Sequence, residues 1–332
     1  MRHLAANGLN LLIVVLLVVL GIIGWGVSEF RGEGPLKEEA IVVLDRGESL
    51  QAITAKLEQE GAISNGTIFR IGARYTERAT TLKFGEYAIP AGASMDEILA
   101  LLASGRSILH PVTIPEGLTS FQVVERLKEA DFLTGEVATV PLEGMLAPDT
   151  YNVQRGTPRQ AVIDQMLAAQ QRILAAAWEG RQADLPLETP EEALVLASIV
   201  EKETGIPGER PEVASVFINR LRAGMRLETD PTVIYGITGG KEVLDRGLRR
   251  SELAARTPYN TYQIDGLPPT PIANPGRAAI AAVMQPAKTE YLFFVADGTG
   301  GHVFATTLRE HNRNVAEWRR IERQRQSEQQ QN

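Results

Sequence analysis

The stretch Glu191-Glu192-Ala193-Leu194-Val195-Leu196-Ala197-Ser198-Ile199-Val200-Glu201-Lys202-Glu203-Thr204 carries apolar residues at helical spacing and ends on two glutamates two positions apart. Two such glutamates cannot share a helix face. At about 100° per residue, Leu194, Val195, Leu196, Ile199 and Val200 average to a direction near that of Glu203, whereas Glu201 points nearly opposite. Glu203 is therefore expected to project from the apolar side of its helix. Desolvation there raises a carboxyl pKa, so the group keeps a proton near neutral pH and can deliver it to a leaving oxygen. Cleavage of a glycosidic bond demands such an acid. A buried glutamate paired with an arginine, or capping a neighbouring helix, fits the spacing equally well.

Outward from this helix the chain reads as α+β. Beyond Tyr151 it is mainly helical, with segments near 158–178, 190–204, 208–223 and 275–285. Strands follow at Tyr291–Ala296 and His302–Ala305, joined as a hairpin through Asp297-Gly298-Thr299-Gly300-Gly301. Upstream, Ile41–Leu44 reads as a strand, and Ser49 heads a helix that stops at Gly61. A helix at 65–75, a strand at Leu82–Ile89 with a glycine irregularity, and a capped helix from Ser94 to Leu102 before Gly105 complete a compact module. A strand at Val112–Ile114, a helix at Phe121–Leu127 and a loop at Leu142–Tyr151 read as a connection with a hinge.

Leu9 to Val27 contains no charge, and its length matches the ~20 residues needed to cross ~30 Å of hydrocarbon. Ser28-Glu29-Phe30-Arg31 follows it in place of a small-residue cleavage site, which favours an uncleaved anchor over a removable signal. Arg2 before the span sets the N-terminus inside and the bulk of the chain outside. The lipid bilayer is thus an expected partner through residues 9–27. Residues 28–38, with Gly32, Gly34 and Pro35, read as a linker. From Arg319 the Gln-rich, charged composition reads as a flexible tail.

A net charge of −7 without a clustered basic stripe argues against nucleic-acid binding. The absence of cysteine removes disulfides, thiol nucleophiles and thiolate metal sites. His302 and His311 lie in no metal-binding pattern, and neither a serine elbow nor a phosphate loop is present, so no metal and no cofactor is expected. Carboxylate acid/base chemistry remains. Polar and aromatic segments follow the helix: Thr229-Asp230-Pro231-Thr232-Val233-Ile234-Tyr235-Gly236, read as a loop, then Tyr259-Asn260-Thr261-Tyr262 and Gly266-Leu267-Pro268-Pro269. Such groups suit a sugar site, because rings stack on pyranose faces while Asn, Thr and Asp hydrogen-bond hydroxyls and amides.

Leu196 to Thr204, Val213-Ala214-Ser215-Val216-Phe217-Ile218-Asn219-Arg220-Leu221, Met225-Arg226-Leu227 with Thr229 to Gly236, Tyr259 to Tyr262, and Phe294 to Gly298 with Gly301-His302 together resemble the MltG/YceG-like endolytic murein transglycosylases, bitopic inner-membrane proteins of bacteria. The amino-terminal half agrees more loosely through Gly47-Glu48-Ser49-Leu50, Lys83-Phe84-Gly85-Glu86-Tyr87 and Glu143 to Tyr151. The resemblance implies a cytoplasmic stub at 1–8, the anchor at 9–27, the linker at 28–38, a LysM-like domain at 39–110, a connecting segment at 111–151, a catalytic domain at 152–318 in the periplasm, and the tail at 319–332. It also implies that Glu203 is the essential residue. Asp230, Thr232, Tyr235, Tyr259, Asn260, Tyr262 and His302 are then the candidate substrate-binding residues.

The implied reaction cleaves the β-1,4 bond between N-acetylmuramic acid and N-acetylglucosamine in peptidoglycan glycan strands. Glu203 would first protonate the glycosidic oxygen and then accept the proton of the muramic 6-hydroxyl as it closes on C1 to a 1,6-anhydro end. Such cleavage would terminate nascent strands beside peptidoglycan synthases. Two alternatives stay open. One is a two-carboxylate hydrolase using Asp149, Asp230 or Glu143; the other is a non-catalytic glycan-binding scaffold.

Overall fold

The computed structural model describes residues 2–329, with side chains over 8–325. The chain divides into two compact units. The first runs to Pro111 and takes in Phe132–Thr134 and Asn152–Thr157; the second comprises Val112–Asp131, Gly135–Tyr151 and the chain from Pro158 onward. The mixed, mostly helical content agrees with the α+β expectation.

In the first unit, helix α1 (Arg2–Arg31) is followed by strand β1 (Ala40–Leu44), helices α2 (Leu50–Gln59) and α3 (Gly66–Tyr75), strand β2 (Gly85–Ile89) and helix α4 (Met95–Ser104). β1 and β2 pair antiparallel from Ala40↔Ile89 to Leu44↔Gly85. Their period of two turns Val42, Leu44, Tyr87 and Ile89 into one core with Leu57, Phe69, Ile98 and Leu102. The sequence caps act as expected. Ser49 accepts the N–H of Ala52, Ser94 and Glu97 form a reciprocal capping box, and Gly105 closes α4 at φ 74°.

Among the described residues one helix, Gly8–Arg31, is long and apolar enough to cross a membrane. The first four residues of the expected linker at 28–38 are helical, however. Ser28 to Arg31 complete α1, and Phe30 is buried in the core of the first unit, an apolar anchor that glycine and proline counting overlooked. The tail from Arg319 is likewise helical to Gln329, and residues 330–332 lie outside the described residues.

The chain continues through β3 (Leu109–Thr113), α5 (Ser120–Lys128), β4 (Leu133–Thr134), β5 (Thr150–Gln154) and β6 (Thr157–Pro158). Within the second unit, α6 (Arg159–Glu179) and α7 (Pro190–Glu203) are followed by a 3-10 turn at Pro207–Glu209. Then come α8 (Arg210–Arg222), α9 (Asp230–Thr238), α10 (Arg250–Ala254), α11 (Arg277–Met284), β7 (Phe293–Ala296), β8 (His302–Ala305) and α12 (Leu308–Gln329). α7 is the central element, packed by α6, α8, α9 and α11. The β7–β8 hairpin pairs Phe293↔Ala305 to Ala296↔His302, and Asp297 Oδ1 closes its turn by accepting the N–H of Thr299 and Gly301.

Two sequence expectations change here. The segment after Thr229 is helix α9 rather than a loop: Pro231 stands in its first turn, where no intrahelical N–H is needed, and Gly239 ends it at φ 58°. Most of the connecting segment 111–151 belongs to the second unit, held by the buried Asn274. Its Oδ1 accepts the Leu146 N–H at 2.9 Å, while Nδ2 donates to Leu118 O at 3.0 Å and Ser120 Oγ at 3.2 Å. Removing such an amide leaves buried partners unsatisfied, at about 1–3 kcal/mol each. Asn274→Ala is expected to destabilise the second unit by about 2–4 kcal/mol, read as a lowered midpoint in denaturant unfolding of the detergent-solubilised chain.

Candidate active site

α7 begins at Thr189, which accepts the Glu192 N–H at 3.2 Å, with Pro190 at the first helical position. Ala193 to Val200 are all buried. The helix therefore has no single apolar side, and burial does not separate the two glutamates, since the Glu201 side chain is itself only 5% exposed. Their partners distinguish them. Glu201 Oε1 accepts from Arg210 Nη2 at 3.3 Å and Oε2 accepts the Gly276 N–H at 2.9 Å, so it is a paired structural anion. Arg210 also reaches Glu116 at 3.2 Å.

Glu203 is the last residue of α7. Thr204 turns extended at φ −136° and ψ 129°, which ends the helix. The Thr229 hydroxyl donates to Glu203 Oε1. Among the described residues no cation pairs with this carboxyl. Burial pushes its pKa up, the Asp230 charge adds to the rise, and the Thr229 hydrogen bond and His302 oppose it. The negative end of the α7 dipole also disfavours a carboxylate at this position.

Thr229 is presented by a strained turn. Glu228 sits at φ 52°, in the left-handed region that side chains rarely adopt. The turn is held by Arg220, whose Nη1 donates to Arg226 O, Leu227 O and Glu228 Oε2 at 3.0–3.1 Å and whose Nε donates to Leu292 O at 2.7 Å.

The candidate binding residues divide into three groups. Asp230, Tyr262 and His302 gather about Glu203: the Tyr262 hydroxyl donates to Asp230 Oδ1 at 2.8 Å, and its own pKa is raised by burial and by that carboxylate. Tyr235 and Tyr259 form a second cluster, with ring centroids 5.0 Å apart. Tyr235 donates to Glu143 Oε2 at 3.2 Å, and Tyr259 lies 2.8 Å from Thr270 Oγ1. Burial pushes Glu143 up, against hydrogen bonds from Ser120 and Tyr235. The third group is buried. Thr232 and Asn260 are wholly buried. Thr232 Oγ1 bonds Thr229 O and Thr261 Oγ1, and Asn260 Nδ2 donates to Glu252 O, Leu253 O and Ala255 O while Oδ1 accepts the Tyr262 N–H. The polarity that suggested sugar contacts is engaged here by the chain's own groups.

Glu209 was not legible as a site residue. Its carboxylate accepts from His302 Nδ1 at 2.8 Å and from the His302 N–H at 2.9 Å, and Thr204 Oγ1 reaches it at 3.3 Å. Burial works against its ionisation, but His302 outweighs this and holds the carboxyl below its usual range. Glu209 thus ties the residue after Glu203 to β8. Among the described residues, no group of three or more His, Asp or Glu side chains converges to hold a metal ion. A recess of about 710 Å³ lined by Ser215, Asn219, Arg222, Lys288 and Tyr291 includes neither Glu203 nor any candidate residue.

Residues 42–317 match the YceG-like family, and the chain belongs to it. Proteins named endolytic murein transglycosylase in Streptococcus pneumoniae strains D39 and R6 are 31% identical over 330 residues, covering 85% of this chain. The chain spans 58% of the length of those relatives. The protein of that name in Bacillus subtilis strain 168 is 32% identical over 298 residues, covering 80% of this chain and 81% of its own. The crystal structure of a yceG-like protein from Listeria monocytogenes superposes with a TM-score of 0.53 at 30% identity, covering 83% of this chain and 99% of that one.

The raised pKa of Glu203 has a consequence for stability. The unfolded chain releases this proton at a lower pH than the folded one, so the folded state binds more protons between the two pKa values and stability falls as pH rises through that window. Glu203→Gln removes this loss. The variant is expected to melt higher than the unmodified chain at pH 8 and level with it at pH 4, by differential scanning calorimetry at both values.

Proposed function

We propose that this chain is an endolytic lytic transglycosylase of peptidoglycan, with Glu203 as its single acid/base. The observation that carries the reading is a desolvated carboxyl at the end of a buried helix, bonded by one neutral hydroxyl and paired with no cation. The names of the pneumococcal and Bacillus relatives support it. Glu203 protonates the oxygen between N-acetylmuramic acid and N-acetylglucosamine as an oxocarbenium-like centre develops at muramic C1. As a carboxylate it then takes the proton of the 6-hydroxyl of the same ring, whose oxygen bonds to C1 and closes the 1,6-anhydro product.

Tyr262, Asp230 and His302 line the acid and position the sugar, and Tyr235 with Tyr259 offers a ring surface beside Glu143. We propose, with the apolar helix Gly8–Arg31 as support, that the protein is a bitopic inner-membrane protein whose N-terminus is cytoplasmic and whose second unit is periplasmic. We further propose that the β1-α2-α3-β2 arrangement is LysM-like and that the enzyme ends nascent strands beside peptidoglycan synthases. Asp230, whose charge acts on Glu203, is the carboxylate a hydrolytic mechanism would use.

Purified full-length protein in detergent, incubated with isolated peptidoglycan, is expected to release fragments with 1,6-anhydro ends by mass spectrometry. Reducing ends that carry oxygen from labelled water would overturn the lyase in favour of the hydrolase. Glu203→Gln should lower the rate by about 10²–10⁴, the usual share of a general acid/base; an unchanged rate would overturn Glu203 as the acid/base, and no release of fragments by the unmodified protein would leave only a scaffold. Thr229→Val removes the bond that favours the ionised form, so the high-pH limb of the rate profile, where the acid loses its proton, should move to higher pH.

A further inference from the structure

The end of α1 does not swing free of the first unit. Gly26, Glu29 and Phe30, at helical spacings of three and four, are its covered residues over the last two turns. Phe30 packs with Ile63, Phe69, Ala73 and Ile98, and its ring lies so close over Gly72 of α3 that no side chain fits there. Glu29 Oε1 accepts the Ser64 hydroxyl at 2.5 Å. Beyond the helix, the Gly34 N–H donates to Gly92 O and the Gly92 N–H to Leu36 O, both at 2.9 Å. The apolar helix and the first unit are joined through packed side chains and backbone.

This fixes the height of α3 above the hydrocarbon. Val27 is the last apolar residue of the uncharged run, and three helical residues rise about 4.5 Å to Phe30. A bilayer of ~30 Å hydrocarbon and ~40–45 Å overall has a headgroup layer roughly 5–8 Å deep on each side. The crossing of Phe30 on Gly72 therefore falls inside that layer. Gly72 of α3 and Ser64 just before it meet α1, and on α3 Ile71 and Tyr75, four apart on one row, are 62% and 87% exposed. Outside α1 these are the most exposed large apolar residues of the first unit, ahead of Ile41 at 54% and Leu109 at 53%. Arg70 and Arg74 flank them at the same spacing, and Arg31 ends α1, whereas the one acid among these contacts, Glu29, is bonded to Ser64.

We propose that this face of α3 is a membrane-contacting surface, with Ile71 and Tyr75 among the headgroups of the bilayer that α1 spans and Arg31, Arg70 and Arg74 against phospholipid phosphates. It rests on the reading of α1 as a membrane span. Tyrosine suits this depth because its ring is apolar and its tip polar, and arginine can keep its charge in the headgroup layer while its stem packs on apolar surface. The first unit is then held at a set height and rotation on the membrane.

The absence of cysteine allows single nitroxide labels on the full chain at Leu16→Cys, Ile41→Cys, Ile71→Cys and Tyr75→Cys. In phosphatidylcholine vesicles containing one quarter phosphatidylglycerol, power saturation should find the label at 16 in hydrocarbon and the label at 41 in water. Labels at 71 and 75 should show several-fold less access to a water-soluble nickel chelate than the label at 41. Arg70→Ala with Arg74→Ala should raise access at 75, and less so in pure phosphatidylcholine. If the label at 16 is deep while 71 and 75 are as accessible as 41, the span stands and the surface is overturned. Dipolar broadening between labels at 75 would also overturn it, by showing a second copy on this face. A water-exposed label at 16 would overturn the span and the surface together.

Discussion

Burial of α7 on every side is the constraint on which the second unit depends. A helix packed by four others can carry charge only at its ends, and α7 ends on Glu201 and Glu203. Each must be accommodated where water is scarce, because an unpaired buried carboxylate is costly. The protein gives them opposite solutions. Glu201 is paired with Arg210 and a backbone N–H, and this network reaches Glu116 before α5 and Gly276 before α11. Glu203 has a hydroxyl and the neighbourhood of one carboxylate and one histidine.

Around this helix, polar residues from distant parts of the chain serve as framework. Asn274, Asn260, Thr261 and Arg220 are buried, and each satisfies backbone groups of segments without regular structure. A loop can be buried only if its N–H and C=O groups find partners, and long polar side chains supply them where no ladder can form. The strained Glu228 persists because Arg220 fixes three acceptors around it, and Thr229 is aimed by that strain. The rigidity of the site thus comes from residues that touch neither Glu203 nor the space before it.

This explains what was legible in the sequence. Elements with a clear period and a cap, such as α4 between Ser94 and Gly105 or the hairpin around Asp297, are recognisable because local chemistry alone specifies them. The α9 start at Thr229-Asp230-Pro231 carried the signal of a proline in the first turn, but its polarity suggested a loop. Phe30 and Glu209 gave no local sign, since their roles depend on Gly72 and His302, 42 and 93 positions away. Asn260 and Thr232 were singled out for the right reason, their polarity among aromatics, and yet polarity does not tell whether the partner is a sugar or the protein's own backbone.

The contrast between the two glutamates also bears on how one carboxyl could act as both acid and base. A group that must be protonated before bond cleavage and ionised after it cannot have a fixed counter-charge: a guanidinium such as Arg210 would hold it ionised, and a wholly apolar pocket would hold it neutral. A hydroxyl stabilises the anion by donating its proton and can instead accept from the acid by rotating, so it suits both states. Thr229 meets that requirement, and its own orientation is guarded by the bonds that Thr232 and Thr261 make to its backbone. Had Arg210 stood against Glu203 in place of Glu201, the same helix would end in two structural anions, and no group here would be free to change its protonation during a reaction.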